Sequence, residues 1–187
     1  MQDKERERQL VRLAQKRDSH AFAELYSLVY RDLYRTALYR LDNPEDAENV
    51  VSDTILDAYA GIDKLRDENA FRSWIFRILD NKIKKCIKEY VNRRQHETSS
   101  VEEYMDILPT KGNVIENAEN RTIIEQAFRV LSEEEKEIVT MTVFGEYDSK
   151  EIADMMKLNR NTVRSKYSRA LVKLREYLSS GGDHYGK

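Results

Sequence analysis

The chain has 187 residues, enough for one domain or two small ones, and a hydrophobic content of 40% is enough to build cores. Charged side chains make up 35%, with 32 Lys+Arg against 34 Asp+Glu, while Gly (6) and Pro (2) are scarce, a mixture that favours helices. The lone cysteine, Cys86, excludes an internal disulfide and a cysteine metal cluster and reads as a small core residue. With no stretch of transmembrane length and no apolar signal core in MQDKERERQLVRLAQKRDSH, a soluble cytosolic protein is expected.

In chain order, Leu10 and Leu13 begin a helical pattern that pauses at the caps Asp18-Ser19. It resumes as Phe22, Leu25, Tyr26, Val29, Leu33, Ala37 and Leu41, a 3.6-residue repeat that predicts one long amphipathic helix. Tyr26, Tyr30, Tyr34 and Tyr39 lie on or beside that stripe and read as half-buried packing residues. Asn43-Pro44 marks the next start, with Asn as N-cap and Pro in the first helical position. Ala47, Val50, Val51, Ile55 and Ala58 form its buried face, and no Lys or Arg occurs from Leu41 to Ala60. A surface carrying Glu45, Asp46, Glu48, Asp53 and Asp57 would be repelled by phosphates. The residues alone leave a solvated face, a carboxylate metal site or a docking surface for a basic partner; no histidine or glycine-centred calcium loop supports the metal.

Residues 61–69 form a polar loop from Gly61 to a capping Asn69. Beyond it, Phe71, Trp74, Ile75, Ile78, Leu79, Ile83, Cys86, Ile87 and Tyr90 make a long apolar stripe. Basic residues outnumber acids eight to two between Phe71 and Arg94, and a cationic helix beside a polar loop and aromatic rings suits single-stranded nucleic acid. From Gln95 the pattern lapses into an acidic, turn-rich stretch, HETSSVEEYMDILPTKGNV, which reads as a linker. Periodicity returns with Ala118, Ile124, Ala127, Phe128 and Leu131; Ser132 then caps a helix with Glu135 three residues on, ending at Gly145.

The last patterned stretch is DSKEIADMMKLNRNTVRSKYSRALVKLREYL. Asp148 or Ser149 caps a short helix, with Glu151 placed for a capping box, and Ile152, Ala153 and Met156 line one side. The turn Asn159-Arg160-Asn161 offers a new cap before Thr162, and Val163, Tyr167, Ala170, Leu171, Leu174 and Leu178 form the stripe of a longer helix. No acid interrupts the run from Lys157 to Arg175, and that one-signed charge is not explained by the average composition. A short helix, a tight turn and a longer basic helix read as a DNA-binding helix-turn-helix. Catalysis finds no support: His20, His96 and His184 are isolated, no glycine motif cradles phosphate and no nucleophile has a nearby base. No enzyme activity, catalytic residue, metal, cofactor or small-molecule substrate is expected.

The run YRLDNPEDAENVVSDTILDAYAGIDKLRDENAFRSWIFRILDNKIKKCIKEYVNRR resembles region 2 of the extracytoplasmic-function (group 4) sigma factors of the sigma-70 family. LSEEEKEIVTMTVFGEYDSKEIADMMKLNRNTVRSKYSRALVKLREYL is similar to their region 4, in the family's order and spacing, with regions 1 and 3 absent as is usual in the group. The resemblance implies an all-α protein with a region 2 domain over residues 1–94, a flexible acidic linker over 95–116, a region 4 domain over 117–179 and a disordered tail over 180–187. It implies a transcription initiation factor that directs core RNA polymerase to promoters and is held by an anti-sigma factor, without inserting into a membrane.

The resemblance also implies residue roles. Glu45, Asp46, Glu48, Asn49, Ser52, Asp53, Leu56 and Asp57 would dock on the clamp helices of the polymerase beta-prime subunit, while region 4 meets the beta flap. Asp63, Lys64, Arg66, Asp67 and Asn69 would capture a flipped base of the minus-ten element, with Trp74, Arg77, Lys82, Lys85 and Lys88 along the strand behind it. Arg160, Thr162, Arg164, Ser165, Ser168 and Arg169 would meet the minus-thirty-five element, and Lys166 and Lys173 would hold phosphates. The chain departs from the family pattern at Asn161, where the turn often has glycine, and at Asn49 and Ser52, where an acid and a glutamine are common.

Overall fold

The computed structural model describes residues 2–96 and 118–180, so the expected linker beyond His96 and the expected tail beyond Ser180 lie outside the described residues. Eight helices account for the regular structure there: α1 (Gln2–Gln15), α2 (Ser19–Leu41), α3 (Pro44–Gly61), α4 (Phe71–His96), α5 (Ala118–Arg129), α6 (Glu133–Val143), α7 (Ser149–Met156) and α8 (Arg160–Ser179). Two short 3₁₀ turns, Ile62–Lys64 and Glu68–Ala70, bridge α3 and α4. No strand occurs among the described residues.

The caps follow local chemistry, since a helix start leaves amides without partners that a short polar side chain can accept from. Asp18 accepts from the His20 and Ala21 amides, and Asn43 from those of Glu45 and Asp46 with Pro44 opening α3. Ser132 with Glu135, and Asp148 with Glu151, form the two expected capping boxes. Other boundaries differ from the sequence expectation. Asp67, not Asn69, is the capping side chain before α4: it accepts from the Asn69 amide and the intervening residues make a 3₁₀ turn before Phe71. Asn159 caps α8, so Asn161 stands inside the helix, and the left-handed residue of the turn is Lys157 (φ 55°). The helix α4 also continues through Gln95 and His96, two residues beyond the expected boundary.

The long helix α2 is the axis of the first group, and α1, α3 and α4 pack around it. Leu25, Val29, Leu33 and Ala37 of α2 are fully buried, together with Val11, Val51, Ile62, Phe71, Ile75, Leu79 and Ile83. In α3, Thr54 takes the interior place expected of Ile55, which is only half-buried; its hydroxyl is satisfied by donating to the Val50 carbonyl at 2.7 Å. In the second group α6, α7 and α8 enclose Ile138, Ile152, Ala153, Val163 and Ala170. The inner line of α8 is completed by Tyr177, while Leu171 and Leu178 remain 40% and 48% exposed, contrary to the predicted stripe. Gly145 follows the C-cap Phe144 of α6, and only glycine fits there, because a Cβ would lie 2.8 Å from both the Met141 carbonyl and the Tyr147 ring.

The two groups pack against each other and share one apolar core. Tyr39 of α2 stacks on Phe128 of α5 with ring centroids 4.3 Å apart. Arg72 Nε donates to the Phe144 carbonyl at 2.9 Å, and the Tyr147 hydroxyl donates to the Ser73 carbonyl. Beside them lies a buried ionic pair, Arg40 Nη1 to Asp80 Oδ1 at 2.6 Å. Removing one member of such a pair strands the other charge in the interior. Asp80→Ala is therefore expected to lower stability by about 3–5 kcal/mol in urea unfolding, whereas an exposed carboxylate substitution such as Glu48→Ala should stay within about 0.5 kcal/mol.

Two phenols report on packing, Tyr147 where the groups meet and Tyr90 between α4 and α3. Burial pushes the Tyr147 hydroxyl far up, and the Tyr90 hydroxyl, which donates to Asp46, is raised to about 12. A phenol with a raised folded value contributes stability that is complete below its unfolded value near 10 and lost as the pH climbs through the folded value. In an alkaline absorbance titration of the 11 tyrosines, Tyr90→Phe and Tyr147→Phe are each expected to remove a late-ionising step, and stability should fall only above about pH 10.

Candidate nucleic-acid and partner surfaces

The helix-turn-helix is held by short-range bonds. The Leu158 amide donates to the Ala153 carbonyl at 2.9 Å, closing α7, and Arg160 Nε reaches the Ser149 hydroxyl at 3.0 Å across the turn. With Val163 and Ala170 buried, helical spacing turns Asn161, Arg164, Ser165, Ser168, Arg169 and Val172 to the outside, and all six are exposed. Arg164, Ser165, Ser168 and Arg169 thus share one open face with Arg160 at its N-terminal edge; Thr162 is half-buried. Lys166 and Lys173 do not join it. Lys166 Nζ pairs with Glu134 at 2.5 Å and Lys173 Nζ with Glu135 at 2.7 Å, both on α6. Burial pushes the Glu135 carboxyl up, but the Lys173 ammonium and the Ser132 amide outweigh it and hold the group below the usual carboxylate range.

The loop between α3 and α4 is anchored rather than open. Ile62 and Leu65 are buried, and Gln15 Nε2 of α1 donates to both of their carbonyls, at 3.2 and 2.7 Å. Arg12 pairs with Glu68 at 2.7 Å, and Arg17 lies 3.6 Å from Asp63. The side chains of Asp63, Lys64, Arg66, Asp67 and Asn69 are all left exposed by this anchoring. The Asn69 amide and side chain both donate to Asp67, and these bonds hold the Asp67 carboxyl below its ordinary value. Trp74 sits half-buried behind the loop, tilted against Phe71 at 6.3 Å, while Phe71 is fully buried.

On α4, Arg77, Lys85 and Lys88 are exposed, with Lys85 Nζ 3.9 Å from Glu89. Lys82 turns instead to α3 and pairs with Asp57 at 2.6 Å. Asp46 is likewise engaged by Tyr90, whose ring carries the Arg93 guanidinium at 4.9 Å. Glu45, Glu48, Asn49, Ser52, Asp53 and Leu56 form the outward side of α3. Leu56 is 66% exposed in the middle of these acids, an apolar side chain with no packing role of its own. No group of three or more His, Cys, Asp or Glu placed to hold a metal occurs among the described residues, and none of the described helices is long and apolar enough to cross a membrane.

No local pattern marks Gln15, Arg12 and Arg17, which fix the loop from the first helix. Their partners lie 50, 56 and 46 positions away, and a lone glutamine on a surface helix carries no local signal.

Known proteins share this arrangement. The sigma-70 region 2 pattern matches residues 25–95 and the sigma-70 region 4 pattern matches residues 121–174, together more than half of the chain. The chain is 28% identical over 167 residues to the ECF RNA polymerase sigma factor SigM of Mycobacterium tuberculosis, covering 88% of this chain and 82% of that protein. It is 27% identical over 169 residues to the ECF RNA polymerase sigma-E factor of Haemophilus influenzae, covering 86% and 89%. The fold is similar to that of the sigma factor RpoE of Bartonella quintana, solved with the anti-sigma factor NepR, with a TM-score of 0.65 at 22% identity over 84% of this chain and 96% of that one. A chain that carries region 2 and region 4 in order on two packed helical groups belongs to the sigma-70 family, in its extracytoplasmic-function group. It is accordingly a transcription initiation factor for RNA polymerase.

Gln15→Ala should unpin the loop without disturbing the helix-turn-helix. Faster amide hydrogen exchange is expected at residues 62–68 but not in α8, with about 1–2 kcal/mol lost in thermal unfolding, because two anchored carbonyls lose their donor.

Proposed function

We propose that the two regions divide the work of initiation between the surfaces described above. The open face of α8, with Arg164, Ser165, Ser168 and Arg169, reads the minus-thirty-five element in the major groove, and Arg160 and Thr162 meet the backbone at its entry. What supports this reading is the segregation of side chains on α8: the open face carries no carboxylate, while Lys166 and Lys173 are drawn aside by Glu134 and Glu135. Those two lysines reach phosphates only by giving up their α6 partners.

The loop with Asp63, Lys64, Arg66, Asp67 and Asn69 receives a flipped base of the minus-ten element, and Arg77, Lys85 and Lys88 hold the phosphates of the strand behind it. Binding energy gained only on the open strand offsets part of the cost of unpairing. A rigid loop suits that task, since its backbone is already fixed by Gln15 and its polar side chains already face out. Lys82 contributes by fixing α4 to α3 through Asp57.

The outward side of α3 docks on the clamp helices of the polymerase beta-prime subunit, with Leu56 as an apolar centre and Glu45, Glu48 and Asp53 as a rim that attracts a basic partner. Region 4 meets the beta flap. The chain acts in the cytoplasm and by binding, the chemistry remaining with the polymerase. Control by an anti-sigma factor fits the Bartonella relative, which was solved with one.

Two substitutions separate these roles. Leu56→Arg removes no packing and should weaken capture by core polymerase at least tenfold while leaving unfolding unchanged, measured by competition with a second labelled sigma factor. Arg164→Ala should cost about 1–3 kcal/mol of discrimination at one base position in run-off transcription from a set of promoter variants. A uniform loss across the variants would make Arg164 a phosphate contact instead.

A further inference from the structure

The contact between the two helical groups contains a charge arrangement that none of the roles above uses. Arg40 of α2, Asp80 and Lys84 of α4, and Glu137 of α6 form one cluster. Arg40 Nη1 meets Asp80 at 2.6 Å and Arg40 Nη2 meets Glu137 at 3.3 Å. Lys84 Nζ bridges the same two carboxylates, at 2.9 Å from Asp80 and 2.8 Å from Glu137. The side chains of Arg40, Asp80 and Glu137 are 3%, 4% and 11% exposed.

Three members of the cluster belong to region 2 and one to region 4. Without Glu137, the recess between α2 and α4 holds two cations and one carboxylate; Glu137 brings it to neutrality. Lys84 and Asp80 also share a helical line with Arg77 and Ser73, at steps of three and four residues, and the Tyr147 hydroxyl from region 4 is bonded to Ser73 on that line. Arg72 of the same helix, already paired with Asp32 of α2, also donates to the Phe144 carbonyl and lies 3.3 Å from Glu146. Region 4 therefore sets Glu137 against Arg40 and Lys84, and Glu146 against Arg72.

We propose that Glu137 is an internal anion that locks the free chain closed, and that a nucleic-acid phosphate takes its place at Arg40 and Lys84 when region 4 lifts away. Burying Arg40, Asp80 and Glu137, with Lys84 42% exposed at their edge, recovers in attraction about what it costs in desolvation, and Arg40 Nε stays buried with no acceptor among the described residues, so the lock is poised near balance. Among the apolar contacts between the groups, Tyr39 stacks on Phe128 and lies 6.1 Å from Phe144. The exposed pair Arg129 and Asp42, 2.9 Å apart, adds an attraction that salt screens. The nucleic-acid half of the proposal rests on the reading of α4 as the strand-facing helix; the lock itself does not.

The test uses the full chain, small-angle scattering for closure and a mixed-sequence single-stranded oligonucleotide as the probe. The wild-type chain should be compact at low salt and expand as salt rises. Glu137→Gln, which leaves the Arg40 to Asp80 pair intact, should be expanded at both salt levels with unchanged helix content. It should bind the oligonucleotide more tightly, with a plot of log affinity against log salt steeper by about 0.7 for the one phosphate gained. Glu133→Gln, the same charge change on an exposed residue of α6, should do neither. Lys84→Met opens the lock from the other side and should expand the chain without any gain in affinity. A Glu137→Gln chain as compact as wild type overturns the lock. An expanded chain whose affinity rises no more than that of Glu133→Gln overturns the phosphate exchange, whereas the strand-facing reading of α4 fails only if replacing Arg77, Lys85 and Lys88 leaves the affinity for the oligonucleotide unchanged.

Discussion

Arg40 carries a permanent positive charge on a helix that packing places in the interior, and much of the fold answers to that fact. A buried guanidinium needs carboxylates at bonding distance, so α4 must cross α2 with Asp80 in register, and α6 must present Glu137 from the other group. The crossing of α2 and α4 aligns the apolar stripe of α4 with that of α2. Leu33 and Ala37 then share the interior with Ile75, Leu79 and Ile83. The same registration leaves Arg77, Lys85 and Lys88 on the outside of α4 and sets Lys82 toward Asp57 of α3.

A second theme is the use of one acidic helix to sort cations. The first turn of α6 carries Glu133, Glu134 and Glu135, which suits the positive end of its dipole. From there Glu134 and Glu135 hold Lys166 and Lys173 against α6, and Glu137, two residues on, faces region 2. The open face of α8 keeps Arg164 and Arg169 without a carboxylate partner among these pairs, so its charge is available to an external anion. The acids of α3 follow the opposite logic: Asp46 and Asp57 tie the helix to α4, and the rest surround Leu56 on a surface that nucleic acid would avoid.

What was legible in the sequence is what depends on neighbours within one or two turns. The periodicity of α2, the Asn43-Pro44 start and the two capping boxes are local, and the structure has them where the pattern put them; the α4 stripe holds from Phe71 to Ile83, but Phe76 joins it and Tyr90 is exposed. Misplacements arose where two local solutions compete. Asp67 and Asn69 are both capping types, and the choice fell to Asp67 because its carboxylate takes both donors of Asn69. Leu178 is more hydrophobic than Tyr177, yet the inner line of α8 returns every seven residues, from Val163 to Ala170 to Tyr177. The Tyr177 hydroxyl reaches Gln126 on α5, a bond no composition scale anticipates. Least legible were the long-range charge pairs: Lys166 and Glu134 are 32 positions apart, Lys173 and Glu135 are 38, and Arg40 and Glu137 are 97. Each decides whether a lysine or arginine that looks free on a helical wheel is free in the fold.

This chain supplies promoter recognition to a polymerase that lacks it. Run-off transcription from a pool of randomised promoters, with core RNA polymerase in the presence and absence of the full chain, measures that directly. Start sites that appear only with the chain, behind a recurring pair of elements at fixed spacing, are the predicted result. Start sites independent of the chain, or dependence on it with no shared upstream elements, would contradict it.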